Sequence, residues 1–207
     1  MEFTERLSGG EAPVRVTAYS KCKRTLDIIG AIVLLVVLSP LLLLIAIAIC
    51  LDSPGTAIYQ QTRVGRQGIP FTILKFRTMQ VNAPTLSTAE MQCLAQIPYT
   101  RLGIWLRRSS LDELPQLWNV LAGQMSFIGP RPALPSQTDV NTLRAQYGAD
   151  AAYPGITGLA QIMGRDELDV ETKVGYDAAY CRQLSFQTDL NIFLRTFAAV
   201  KTGQGNK

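Results

Sequence analysis

The stretch Ile28–Leu51 reads IIGAIVLLVVLSPLLLLIAIAICL, 24 residues without a charge, bounded by Asp27 and Asp52. At helical rise such a run is about 36 Å long, enough to cross a hydrocarbon core of about 30 Å. Ser39-Pro40 stands in its middle. Pro40 has no N–H for the Val36 carbonyl, and its ring crowds that carbonyl, so a straight helix is not expected. The Ser39 hydroxyl can take up the slack at the carbonyl of Leu35 or Val36. The fold therefore turns on whether this segment crosses a membrane or enters, bends and comes back.

Charge placement favours the second path. Arg15, Lys21, Lys23 and Arg24 precede the run, and Arg63, Arg66, Lys75 and Arg77 follow it. Basic residues near segment ends mark the cytoplasmic side. A simple span would leave one basic flank outside, whereas a re-entrant hairpin keeps both inside. Each half, roughly 11 residues, would reach about 16 Å, near the bilayer midplane. The rival is one crossing kinked at proline, which membrane helices tolerate. A signal peptide fits poorly, because the apolar core is too long and no A-x-A site follows.

Composition narrows the chemistry. A chain of 207 residues with such an anchor leaves roughly one further domain. A net charge of +4 beside an anchor points to anionic lipid or phosphate ligands rather than to nucleic acid. There is no histidine, which excludes His-based general bases, Ser-His-Asp triads and His-ligated metal. Cys22, Cys50, Cys93 and Cys181 are scattered with no C-x-x-C pair, so reduced thiols are expected rather than a zinc site or disulfides.

Three units follow: a polar tail over 1–18, an anchor helix over 19–52, and a domain over 53–207 continuous with it. Lys23, Arg24 and Asp27 are expected at headgroup level. Ala57–Thr62 and Ile69–Met79 alternate as strands around a Gly65–Gly68 turn, a β-hairpin. Lys75 and Arg77 share one strand face, where two cations can meet a phosphate or simply be solvated. A short helix is expected near Thr88–Gln96, and an amphipathic one over Leu102–Arg108. Leu134–Asp150 reads as helical. Leu190, Phe193, Leu194, Phe197 and Val200 form a helical apolar stripe, to pack on the core or lie in a membrane interface.

The chemistry concentrates in SSLDELPQLWNVL, residues 109–121. Ser110-x-x-Glu113 has the spacing of a capping box, with acids in the first helical turn. Pro115 fits better as a first-turn residue of a helix starting nearby. Either way Asp112 and Glu113 stand near a helix start with Arg107 and Arg108 just upstream. Carboxylates stabilised this way are expected to stay ionised, and an ionised Asp is a usable nucleophile and magnesium ligand. Downstream, Gly129-Pro130-Arg131-Pro132 fixes the backbone around one arginine, as bidentate phosphate binding requires. Pro154-Gly-Ile-Thr-Gly158 reads as a second rigid loop.

The segments LKFRTM, SLDELPQLWNVLAGQMSFIGPRP and PGITGLAQIMGR closely resemble those of the bacterial sugar transferase family. These are monotopic phosphoglycosyl transferases that start glycoconjugate assembly on polyprenyl phosphate. The resemblance runs from about Lys21 to Val200, and the chain looks close to the family's minimal catalytic unit. It implies an α+β fold, mostly helical, with a small β-hairpin, interfacial amphipathic helices and a re-entrant membrane helix broken at Ser39-Pro40. It places the domain on the cytoplasmic face of the bacterial inner membrane.

By that resemblance Asp112 is the nucleophile and touches Mg²⁺, with Glu113 as its partner, assisting the metal site or proton handling. Arg107 and Arg131, and more weakly Arg165, match positions for substrate or phosphate. Lys75 and Arg77 join them as candidates, and Pro154, Gly155 and Thr157 would line the nucleotide pocket. The implied substrates are a UDP-sugar and polyprenyl phosphate, with inner-membrane lipid as partner, no nucleic acid, and room for a homo-oligomer. The family often has arginine before PGITG and tryptophan after it; here they are Tyr153 and Leu159. Two rivals are a non-catalytic membrane scaffold and a nucleotide-sugar phosphohydrolase using the same dyad with water as acceptor.

Overall fold

The long apolar run folds as expected into a helix, but one that continues through its proline. In the computed structural model, which describes residues 18–84, 97–164 and 168–202, α1 spans Ala18–Asp52 with Pro40 inside it. Ser39 Oγ donates to the Val36 carbonyl at 2.8 Å, the acceptor that Pro40 leaves without a partner. The expected break at Ser39-Pro40 is thus not an interruption of helical structure. The local hydroxyl bond compensates for the missing N–H.

One stripe of α1 faces the rest of the molecule. Lys23, Asp27 and Ala31 are buried at its N-terminal end, and Ile45 and Ile49 at its C-terminal end. Between them Leu35, Leu38 and Leu42 are only half-covered. The opposite side is apolar and bare: Val36, Val37, Leu43 and Leu44 are each more than 60% exposed. Leaving such side chains in water forgoes roughly 1–2 kcal/mol apiece relative to burial. This helix is long and apolar enough to cross a membrane.

Lys23 and Asp27 are buried in a polar cluster within the fold. Lys23 Nζ lies 3.0 Å from an Asp189 carboxylate oxygen and 3.5 Å from Asp27. Ser126 Oγ donates to Asp27 at 2.7 Å, and Tyr19 OH to Asp189 at 2.7 Å. A buried charge needs a partner, and these residues supply one another. Arg24 donates to the carbonyls of Val120 and Met125 at 2.7 and 3.0 Å.

The hairpin forms from β1 (Ile58–Val64) and β2 (Pro70–Phe76), antiparallel, with Tyr59 opposite Lys75. Its turn uses Gln67 and Gly68 at positive φ. Alternation gives β2 two buried faces. Phe71 and Ile73 join Ala31, Val120 and Met125 in one cluster, while Phe76 joins Ile45, Ile49 and Leu106 in another. The two ends of α1 therefore contribute to cores on either side of one strand.

Helix α2 (Arg101–Arg108) and helix α3 (Gln116–Leu121) follow. Strand β3 (Ser126–Ile128) pairs in parallel with β4 (Gly155–Thr157). The PGITG segment, expected as a loop, is therefore a strand. Its glycines permit a very close backbone crossing: a Cβ on Gly155 or Gly158 would collide with Gly129 backbone atoms. The region read as helical over Leu134–Asp150 is α4 (Thr138–Gln146) and a 3₁₀ turn at Ala149–Ala151. After a short α5 (Leu159–Met163), helices α6 (Val170–Arg182) and α7 (Phe186–Thr202) complete the chain. On α7, Asp189 and Ile192 are buried, while Phe186, Leu190, Phe193, Leu194 and Phe197 face outward. The tail over 1–17, the helix expected at Thr88–Gln96 and Cys93 lie outside the described residues.

Arg144 of α4 and Asp177 of α6 form a buried pair, with guanidinium nitrogens 2.9 and 2.6 Å from one carboxylate oxygen. Truncating Arg144 strands an acid among apolar neighbours. Arg144→Met is expected to lower stability by about 3 kcal/mol, measured by denaturant unfolding in detergent. A double variant with Asp177→Leu should recover most of that loss.

Candidate active site

The capping box expected from Ser110-x-x-Glu113 does not form. Ser110 takes a left-handed conformation at φ 57° and its side chain caps nothing, while Leu111–Glu113 make one 3₁₀ turn. Pro115, at φ −61°, is the N-cap of α3. The helix starts there because proline removes the donor an earlier start would need. Asp112 and Glu113 thus sit on a tight turn between α2 and α3, free of helix-capping duty.

Glu113 Oε1 accepts from Lys75 Nζ at 2.9 Å and from Arg131 Nη2 at 2.8 Å. Three separate segments meet at this oxygen: the end of β2, the dyad turn and the Gly129–Pro132 loop. Burial works against ionising Glu113, but Arg131 and Lys75 outweigh it and hold its carboxyl well below the usual range. Burial pushes the Lys75 ammonium down, with Glu113 opposing.

Asp112 is the contrast. It is buried, and among the described residues no hydrogen bond or ion pair engages its carboxylate. Burial first, and then the Glu113 charge, push its carboxyl up to about 6, against the pull of Lys75, Arg107 and Arg131. The Arg107 guanidinium lies 5.5 Å from the centre of the Tyr99 ring. Asp112 is therefore an anionic oxygen without a partner in a field of cations.

Lys75, Arg107 and Arg131 gather around the dyad as the sequence suggested. Arg77 does not. It is buried and donates to the carbonyls of Ser53 and Pro54, closing the turn after α1. Pro154 and Gly155 abut the Arg131 loop, where Gly155 N donates to Pro130 O at 2.9 Å. Thr157 turns toward α7 instead, its hydroxyl 2.8 Å from that of Thr196. Arg165 lies outside the described residues.

Two residues escaped the sequence reading. Asn119 is buried in α3, where its amide donates to Thr72 O at 2.7 Å and accepts from Leu74 N at 3.0 Å. It satisfies the open edge of β2 and so sets where Lys75 points. An Asn within the apolar run LWNVL was the available signal. Arg63 donates to Pro132 O at 3.2 Å. Burial, then the Arg131 charge, lower it to about 10.

The donor set suits a hard divalent cation of the kind that takes one or two carboxylates and completes its shell with water and substrate phosphate. The Asp112 carboxylate is open for that purpose, and Glu113 has a second oxygen beyond its two cations. No cluster of three or more His, Cys, Asp or Glu exists among the described residues. The protein alone thus offers a partial site that substrate oxygens would have to finish.

Residues 18–203 match the profile of the bacterial sugar transferases, and the chain belongs to that family. It is 41% identical to the UDP-glucose:undecaprenyl-phosphate glucose-1-phosphate transferase of Caulobacter vibrioides, over 92% of this chain and 73% of that protein. It is 35% identical to the UDP-galactose-lipid carrier transferase of Erwinia amylovora, over 88% of this chain but 41% of the relative. It is 34% identical to the exopolysaccharide production protein ExoY of Sinorhizobium fredii, over 89% of this chain and 87% of that one. The chain spans less than half of several of the relatives it matches.

The two carboxyls titrate apart. Above pH of about 6 the Asp112 carboxylate is the main form, and below it the acid. Carbon NMR of the metal-free protein should show one carboxyl titrating there, absent from Asp112→Asn. The Glu113 signal should stay that of the anion throughout. A second carboxyl titrating alongside would overturn the pairing of Glu113 with Lys75 and Arg131.

Proposed function

We propose that this chain transfers a sugar 1-phosphate from a UDP-sugar to polyprenyl phosphate at the cytoplasmic face of the bacterial inner membrane. This is the first membrane step of polysaccharide or other glycoconjugate synthesis. The observation that carries the reading is the open Asp112 carboxylate among Lys75, Arg107 and Arg131, beside a Glu113 already paired. A nucleophile must be both anionic and unencumbered, and Asp112 is the member of the pair that meets both conditions. The relatives' names supply the substrate class, and UDP-glucose and UDP-galactose are the first donors to try.

In the proposed reaction an Asp112 oxygen attacks the sugar-bearing phosphorus. A bond forms from Oδ to phosphorus, the bridging phosphorus–oxygen bond breaks, and UMP leaves with that electron pair. A polyprenyl phosphate oxygen then attacks the same phosphorus and the bond to Oδ breaks, restoring the carboxylate. The acceptor is already ionised, so no histidine is required. Arg131 and Arg107 lower the negative potential that an approaching carboxylate would otherwise meet. Lys75 keeps Glu113 charged and in place. Mg²⁺ held by Asp112 and Glu113 would supply further neutralisation of the pyrophosphate when bound.

A re-entrant path for α1 is part of this proposal. Both ends of the apolar run are tied to one folded unit: Asp27 accepts from Ser126, and Asp52 accepts from Leu102 N at 3.1 Å. A straight crossing would require that unit to reach across the bilayer. The outward aromatics Phe186, Phe193 and Phe197 of α7, with Trp105 and Trp118, are suited to lie in the interface of the same leaflet.

Two experiments test the reading. Sustained UMP release from UDP-sugars, beyond the single equivalent per protein that the first step frees, should require polyprenyl phosphate, all release should require a divalent cation, and Asp112→Asn should lose at least about 10³-fold in rate. Release that continues without the lipid would make the protein a hydrolase, and turnover retained in Asp112→Asn would remove the nucleophile. For topology, Cys22 and a cysteine replacing Thr56, each as the single thiol, should react with an impermeant maleimide only after spheroplasts are opened. Labelling of one in sealed spheroplasts would mean a full crossing.

A further inference from the structure

Gln116, the first residue of α3, is 2% exposed, and its amide nitrogen is buried with no hydrogen-bond partner. Among the described residues no hydrogen bond engages its amide oxygen either. A buried amide left in that state is costly, and native proteins keep one where chemistry, an ion or a water uses it.

The backbone sets where that amide points. Glu113 N donates to Ser110 O, Leu114 N to Leu111 O and Leu117 N to Leu114 O, so the chain winds here with about three residues per turn. Side chains three apart then stack, and Gln116 stands one turn beneath Glu113 on the edge that meets β2. Asn119, three residues further on, continues that edge: Glu113 accepts from Lys75 Nζ, and Asn119 accepts from Leu74 N and donates to Thr72 O. Helical Cα–Cβ bonds lean toward the N-terminus, which aims the Gln116 side chain back at the turn bearing Asp112 and Glu113. Both of those carboxylates lie within electrostatic range of Lys75, on this same side.

Resting on the reading of Asp112 and Glu113 as cation ligands, we propose that Gln116 is a third protein ligand of the same divalent cation, through Oε1. Turning the amide over brings Oε1 to the place of Nε2 and breaks no bond. Glu113 Oε2 is open as well, since both of its cations sit on Oε1. One turn of chain thus offers a carboxylate, the second oxygen of another and an amide oxygen. A hard divalent cation takes such ligands and leaves the rest of its octahedral shell to water and phosphate oxygens. A neutral third ligand seats the cation on the dyad turn without adding negative charge against an incoming diphosphate.

Titration of Mn²⁺ into the full-length protein in detergent micelles, alone and again with UMP present, tests this through loss of the free-ion EPR signal. Gln116→Met keeps the volume and removes the oxygen. It should unfold no earlier than the unmodified protein, because it deletes an unpaired buried polar group, yet bind Mn²⁺ at least about tenfold more weakly. The Mg²⁺ concentration that gives half-maximal turnover should rise by a similar factor, with kcat recovered at saturating Mg²⁺. Gln116→Glu should bind Mn²⁺ about tenfold more tightly, and it decides the matter if Gln116→Met fails to fold. Mn²⁺ affinity unchanged in the variants that fold would overturn the ligand, and a Met variant that lost only kcat would make Gln116 a donor to substrate instead. No Mn²⁺ binding by the unmodified protein in either condition would sink the cation reading of the dyad, and Gln116 with it. Absence of lipid-dependent UMP release with the expected affinities intact would instead sink the transferase reading and leave the ligand standing.

Discussion

One carboxylate oxygen, Oε1 of Glu113, accepts from two cations that come from distant parts of the chain. Lys75 arrives on β2 and Arg131 on the loop after β3, so the hairpin and the second sheet are registered against each other through the dyad turn. A buried carboxylate is tolerable only with such partners, and the largely covered Lys75 ammonium is tolerable only with it, while Arg131 stays half exposed. The mutual requirement has a by-product. With Glu113 engaged, no hydrogen bond or ion pair among the described residues engages the neighbouring Asp112 carboxylate. Two adjacent acids in one environment thereby acquire different characters.

The anchor helix takes part in the same frame. Asp52, at its C-terminal end, accepts from Leu102 N in the first turn of α2. Arg24, near its N-terminal end, donates to Val120 O at the end of α3 and to Met125 O beyond it. Helices α2 and α3 are the two that flank Asp112. Polar groups at both ends of an apolar segment thus brace the turn that carries the acid, with the helix-end carbonyls and N–H groups left open by α-helical geometry as the points of attachment.

Much of this was legible in the residues. The apolar run, the hairpin and the gathering of Asp112, Glu113, Arg107 and Arg131 follow from periodicity, turn chemistry and family resemblance, and the Ser39 bond to Val36 follows from what proline lacks. The errors share a cause. Lys23 read as an interfacial anchor, and Arg77 as a solvated or phosphate-facing cation, because a charge in a sequence carries no record of a carboxylate 166 residues away at Asp189, or of carbonyls left over at a helix end. Ser110 and Glu113 matched a capping pattern, but Lys75 and Arg131 compete for the glutamate with charge-assisted bonds stronger than a cap. PGITG read as a loop because its pairing partner, β3, is only three residues long. Asn119 was passed over because an edge strand needing a surrogate partner is a tertiary fact.

The bond between Lys23 and Asp189 bears on what kind of object the anchor is. A detachable membrane tether can be cut away and leaves a complete globule behind. Here the cut would strip Asp189 of its ammonium and Ser126 of its Asp27 acceptor, and would take one hydrogen-bond partner each from the first turn of α2 and the last turn of α3. The long apolar helix is a wall of the domain rather than an appendage to it.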